Sequence, residues 1–358
     1  MRRPLLPAVR LAVVAVAAAL GLSACGSDSA SPSAAAGAVG AGHERVDLRL
    51  GYFPNVTHAA AVAGVEQGIF ARALGDGVSL KAATFNAGPA AVEAIFAGAL
   101  DATFIGPNPA VNAFARSGGE AIRVIAGATS GGASLVVQPT IRSIAALAGR
   151  KVATPQLGNT QDVALRAYLL SQGLETDPQG GGDVSIVPQD NAQTLEQFKS
   201  GAVSGAWVPE PWASRLVLEG GGKVLLDERT LWPDGQFVTT HLIVRTEFLR
   251  EHADVVERLL QGHLEATGFV TANPAEAQKV VNAGILRITG KAIPDAVIAA
   301  AWGNMSFTWD PVAASLRQGA ADAKAVGLLE AGTDLDGIYD LSLLNKLLAG
   351  RGQAEVTG

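Results

Sequence analysis

Short runs that alternate apolar and polar side chains take turns along this chain with segments of helical period. Residues 46–52 alternate as a half-buried strand does, and 59–67 space their apolar residues as a helix does. The same reading predicts strands at 79–84, 102–105, 122–126, 151–153, 184–187 and 206–208. It predicts helices at 90–97, 109–116, 160–170, 194–199 and 212–218. Strands alternating with helices predict βαβ units, hence an α/β fold of mainly parallel sheets flanked by helices. Ser130, Gly131 and Gly132 read as a turn, and beyond Thr246 the pattern is mostly helical.

One stretch echoes another. AVEAIFAGALDATFI at 91–105 ends a helix at Gly98 and enters a buried strand; TLEQFKSGAVSGAWV at 194–208 does the same at Gly201. Both strands run into proline-bearing turns, GPNP at 106–109 and PEP at 209–211. The repeat predicts two similarly built lobes whose strand ends face a common cleft.

The first residues predict a compartment. Arg2, Arg3 and Arg10 precede an apolar run at 11–20, then small residues around Cys25. That order is a secretory leader. The run falls short of the ~20 apolar residues a stable span needs. The tetrad ending in Cys25 resembles a lipobox, which implies acylation of that cysteine. Cys25 is the sole cysteine, so it has no disulfide partner to explain it. Residues 26–45, rich in Ser, Ala and Gly, read as a flexible tether. Loss of the leader's three arginines takes the net charge from −6 to −9. No basic cluster follows residue 25, which argues against a nucleic-acid partner.

Candidate chemistry lies at the strand ends. Ligands of open α/β sheets bind beyond the carboxyl ends of strands, where helix N-termini offer unpaired N–H groups and partial positive charge. Such junctions bind anions without a lysine. Three stand out: 51–58, containing Asn55 and His58; 106–109, with Asn108 as a cap and Pro109 in the first turn; and 158–162, where Asn159 or Thr160 caps a helix.

Five motifs carry a resemblance: LRLGY at 48–52, FNAGP at 85–89, GPNP at 106–109, LAGRKVA at 147–153 and WVPEPW at 207–212. In this order and spacing the chain resembles the aliphatic sulfonate, taurine and nitrate solute-binding proteins of ABC importers. The resemblance implies a two-lobed type II periplasmic-binding-protein fold, with lobe 1 at 46–136 and 238–358, lobe 2 at 137–237, and crossings near 136–138 and 237–240. It implies a monomer outside the cytoplasm, lipid-anchored at the membrane through Cys25, that hands a small anion to an ABC permease and needs no cofactor or metal.

Carried over by position, it implies ligand contacts from Phe53, Pro54 and Asn55, from Gly88 and Pro89, and from Pro107 and Asn108; His58, beside the first loop, reads on its own as a first-turn helical or ligand-contacting histidine. Asn159 and Thr160 would approach from the other lobe, Trp207, Glu210 and Trp212 would cover the ligand's organic part, and Thr239 and Thr240 would lie at the second crossing. Asn108→Ala is then expected to weaken sulfonate binding. Taurine binders place an acidic residue near Thr240; its absence here favours an aliphatic sulfonate without an amine. Nitrate, bicarbonate, taurine and aromatic or heterocyclic ligands stay open, the last because Phe53, Trp207 and Trp212 offer rings.

Two residues resist a single reading. Trp207, on a strand, is either core or cleft. Glu210 beside an anion is repelled by roughly 4 kcal/mol at 4 Å in a medium of effective dielectric 20. It therefore faces solvent, pairs with Arg215, or meets a cationic group on the ligand. An enzyme is the rival class, since a pyrimidine-forming enzyme of thiamine biosynthesis shares the fold. That enzyme's signature is a cysteine-rich segment, absent here, and the five histidines have no metal-ligand spacing.

Overall fold

The computed structural model describes residues 45–358; the leader, Cys25 and the tether up to residue 44 lie outside the described residues. The chain enters β1 (Val46–Tyr52), passes a single 3-10 turn (Val56–His58), and continues through α1 (Ala59–Glu66), α2 (Ile69–Leu74), β2 (Val78–Thr84), α3 (Gly88–Phe96), β3 (Ala102–Ile105), α4 (Pro107–Arg116) and β4 (Ile122–Gly131). It goes on as β5 (Ala133–Val137), β6 (Lys151–Thr154), α5 (Thr160–Ser171), β7 (Ser185–Pro188), α6 (Asn191–Lys199), β8 (Gly205–Pro209), α7 (Trp212–Leu218) and β9 (Lys223–Asp227). It returns as β10 (Val238–Arg245), followed by α8 (Thr246–Glu251), α9 (Ala253–Ala272), α10 (Pro274–Thr289), α11 (Asp295–Gly303), β11 (Met305–Phe307), α12 (Ala313–Ala325) and α13 (Ser342–Ala349).

Two sheets result, ordered β11-β4-β10-β3-β1-β2 and β7-β6-β8-β5-β9. They are mixed, not mainly parallel. Strands β1, β2 and β3 run parallel, as do β6, β7 and β8; β4, β10 and β11 in one sheet and β5 and β9 in the other pair antiparallel. The two passages between the sheets run from β4 to β5 and from β9 to β10, all four of them strands with antiparallel partners.

The internal echo is a real repeat. The order β2-β1-β3 followed by antiparallel β10 matches β7-β6-β8 followed by antiparallel β5. Gly98 and Gly201, which end the equivalent helices, take φ of 67° and 75°, a left-handed turn that suits glycine. Each lobe has its own apolar core. Leu48, Leu50, Phe70 and Phe104 belong to the first, and Leu135, Val152, Leu165 and Trp207 to the second.

The first crossing lies at Gly131 and Gly132, before the expected 136–138, and what looked like a turn is this passage between lobes. Residues 133–137 already pair in the second sheet. Both glycines hold positive φ, 79° and 77°, which side chains with a Cβ resist. The second crossing is the segment between Asp227 and Val238, since Val238 already pairs with Ser130 in the first sheet. The crossings touch: Gly131 N–H donates to Phe237 O at 3.0 Å, and Thr239 Oγ1 donates to Gly131 O.

Candidate functional site

Four helix N-termini meet between the sheets. α3 follows Ala87 and α4 follows Gly106 in the first lobe; α5 follows Asn159 and α6 follows Asp190 in the second. At none of them does the cap residue's side chain bond the first turn. Helix geometry leaves first-turn N–H groups without intrahelical partners, so they remain donors for something in the cleft. At α4 the supply is thin, because Pro107 and Pro109 have no N–H.

These ends enclose a small pocket of about 20 Å³. The first lobe contributes Phe53, Asn55, Thr57, His58, Asn86, Ala87, Gly106 and Thr239; the second contributes Asn159, Thr160, Gln161, Asn191 and Pro209. No Lys, Arg, Asp or Glu is among these lining residues. The Thr57 carbonyl is pinned by Thr129 Oγ1 at 2.6 Å and Thr240 Oγ1 at 3.0 Å, which fixes the loop that carries it. Two buried polar atoms of the lining, Thr160 Oγ1 and Asn191 Oδ1, have no hydrogen-bond partner among the described residues. Such atoms are costly unless a guest meets them.

His58 is neutral. Burial lowers its pKa to about 3. Its Nδ1 accepts from the Phe53 N–H at 3.3 Å, and the Phe53 ring stacks on it at 4.3 Å between centroids. With Nδ1 accepting, the single proton sits on Nε2, so the ring is a neutral donor. A pocket of neutral donors and helix ends stabilises negative charge without burying a formal counter-charge.

Comparison with known proteins places the chain. The model of the NMT1-like family matches residues 41–285. The chain belongs to the NMT1-like family. A binding protein of Brucella abortus (strain 2308) is 27% identical over 237 residues, 65% of this chain and 70% of its own length. The taurine-binding periplasmic protein of Escherichia coli (strain K12) is 27% identical over 191 residues, 53% of this chain and 57% of its own. Among solved structures, the alkanesulfonate-binding protein SsuA of Xanthomonas axonopodis pv. citri, bound to MOPS, superposes with a TM-score of 0.67 at 20% identity, over 81% of this chain and 96% of that one. The resemblance read from the five motifs stands, as does the two-lobed type II fold, and all three of these relatives are named as binding proteins.

This NMT1-like chain joins its lobes around the pocket. Trp212 Nε1–H, on lobe 2, donates to Asn55 Oδ1, on lobe 1, at 3.0 Å. Glu210 is buried, so its pKa is raised by desolvation despite three hydrogen bonds. It accepts from Ser214 N at 3.0 Å and Ser214 Oγ at 2.9 Å within its own lobe, and from Asn304 Nδ2 at 2.7 Å in the other. It therefore faces neither solvent nor the inner pocket, and Arg215 pairs with Glu219 at 2.7 Å instead. Thr160 Oγ1 stands 2.5 Å from where a Cβ on Gly106 would be, so the lobes meet closely there because Gly106 has no side chain.

Several expected contacts lie elsewhere. Asn108 turns away from the pocket, and its Nδ2 donates to Gly319 O on α12 at 2.9 Å. Pro107, next to it, begins α4 and is not among the pocket's lining. Gly88 packs against Pro109, whose Cγ would be 2.2 Å from an added Cβ. Pro89 lines a separate groove beside Pro109 and Arg116. Trp207 is fully buried core, its Nε1–H given to Glu228 Oε2 at 2.7 Å, and burial raises the Glu228 pKa to about 7. Thr240 supports Thr57 from behind. Pro54 and Trp212 line an outer chamber. Phe53, Asn55, His58, Asn159, Thr160 and Thr239 come together as expected; Thr57, Asn86, Gln161 and Asn191 were not anticipated.

Proposed function

We propose that this chain is the extracytoplasmic solute-binding component of an ABC-type importer and that it closes its lobes on a small organic anion of the sulfonate class. The carrying observation is the inner pocket. Helix N-termini from both lobes converge on it, its lining has no charged side chain, and Thr160 Oγ1 and Asn191 Oδ1 sit there buried and unpartnered. Three oxygens of a sulfonate would accept from first-turn N–H groups of α3, α5 and α6, from Thr160 Oγ1–H and from His58 Nε2–H. Amide rotation at Asn191 would offer its N–H2 in place of its oxygen. The lack of a carboxylate in the lining speaks against a cationic head group.

The ligand would first meet one lobe and be completed by the other. Closure follows only if the closed form binds it better, and the lobe-bridging contacts of Trp212 and Glu210 exist in the closed form. The closed form is what a membrane permease would recognise. Attachment through an acylated Cys25 and a monomeric state complete the proposal.

Thermal-shift screening of the purified chain with alkanesulfonates, taurine, nitrate, bicarbonate and thiamine precursors tests it, because a ligand of the native state raises the melting temperature by mass action. A shift with sulfonates supports the reading. A shift confined to a cationic heterocycle overturns it.

A further inference from the structure

The inner pocket has a neighbour. A chamber of about 550 Å³ shares Asn55, Asn86 and Asn191 with it and lies between the lobes. Cavities of roughly 300–1,000 Å³ house drug-sized ligands. Its walls include Phe85 on lobe 1 and Trp212 and Leu195 on lobe 2, roofed by Ile288 and Ile293 where α10 runs into α11. The Arg215 guanidinium stacks over the Trp212 ring at 4.8 Å, is itself bound to Glu219, and also lines the chamber. Nitrate or bicarbonate has no organic part to cover Trp212, Phe85, Ile288 and Ile293, on walls that also carry Asp190, Glu196, Arg215 and Lys291.

We infer that the ligand is an organic anion with a ring-bearing apolar tail, its anionic head in the inner pocket and its ring in the chamber between Trp212 and Phe85. The inference rests on the anion reading above and names the organic part that reading leaves open. An aromatic ring held flat against Trp212 or Phe85 gains both area burial and ring–ring contact. The roof comes from the C-terminal helices, where the sequence motifs of the resemblance fade, while Phe85 and Trp212 belong to those motifs.

Calorimetric titration of the purified chain with methanesulfonate, 2-naphthalenesulfonate and neutral 2-naphthalenemethanol tests this. The naphthalene ring is expected to tighten sulfonate binding by roughly 100-fold. Two variants fill the chamber from its roof side at an exposed alanine, Ala292→Phe and Ala292→Trp. Each is expected to weaken 2-naphthalenesulfonate by roughly tenfold and leave methanesulfonate unchanged. Equal affinity for the two sulfonates, or variants that weaken both alike, overturns the inference while the anion reading stands. Equal affinity for 2-naphthalenesulfonate and 2-naphthalenemethanol contradicts the anionic head and with it the class named here.

Discussion

Trp212 on lobe 2 and Asn55 on lobe 1 share a hydrogen bond of 3.0 Å across the cleft, indole N–H to carboxamide oxygen. The bond does two things. It ties closure to the lining of the ligand pocket, and it fixes the Asn55 amide so that its N–H2 is the end left for the pocket. Trp212→Phe keeps a ring and removes the donor. It is expected to cost about 1 kcal/mol of the closed form, or roughly fivefold in Kd. Small-angle scattering with and without ligand checks it: the variant should need more ligand to reach the compact form.

Gly106 and Thr160 set how closely the lobes approach. At Gly106 φ is −70°, so alanine is free of backbone strain, but its Cβ would lie 2.5 Å from Thr160 Oγ1. Gly106→Ala should leave the ligand-free melting temperature nearly unchanged and weaken ligand binding by at least about tenfold, on the scale of overpacking costs. Thr160→Ala removes the colliding oxygen. In the double variant the two losses should therefore not add, which a double-mutant cycle on Kd measures.

Neutral His58 gives a pH signature. Its folded-state pKa is about 3, below the ordinary value of 6.5. The ring is therefore neutral throughout the working range, and anion affinity should be flat from about pH 5.5 to 8.5. Were the imidazolium the anion's partner, affinity would rise as pH falls through about 6.5. Titrations across that window distinguish the two. For stability the sign is fixed by the same depression. Above about pH 6.5 neither state is protonated and the neutral buried ring carries no penalty; as pH falls toward 3 the unfolded chain takes up the proton first, so stability is lost. His241 and His263, with pKa lowered by burial to about 4, act in the same direction.

Asn108 separates structure from recognition. Its side chain is buried and bonded to Gly319 O. Asn108→Ala should lower stability by about 1 to 3 kcal/mol, the scale of an unmet buried polar group, and leave Kd within roughly twofold. Urea unfolding beside calorimetry reads both.

Much of the fold was legible because its period was. β1, β3 and α7 end where the pattern ends, and the repeat of helix, glycine and strand marked the two lobes. The hinge was not legible. Strands β4 and β5 are buried on either side of Gly131 and Gly132, and hydropathy does not register a passage from one sheet to another. The strands β5 and β10 were hidden for the same reason, being buried on both faces and so without alternation. At the site, motifs found the loops but not the direction of each side chain. Asn108 is the second residue of α4 and Asn159 is the cap of α5; one bonds α12 and the other lines the pocket. Trp207 and Trp212 share a motif, but the strand register sends Trp207 into the core, opposite Leu135. Gln161 lay in the 158–162 junction with no motif to rank it, and Asn191, the first residue of α6, lay ahead of the helix start the pattern placed at 194.

Crystals grown with 4-bromobenzenesulfonate put the central claim to its most direct test, since anomalous scattering locates sulfur and bromine separately. Sulfur should lie in the inner pocket, within hydrogen-bonding reach of His58, Thr160 and Asn191 through its oxygens, with bromine in the chamber beside Trp212. Sulfur found in the chamber, or outside the cleft altogether, would contradict an anion held by converging helix ends.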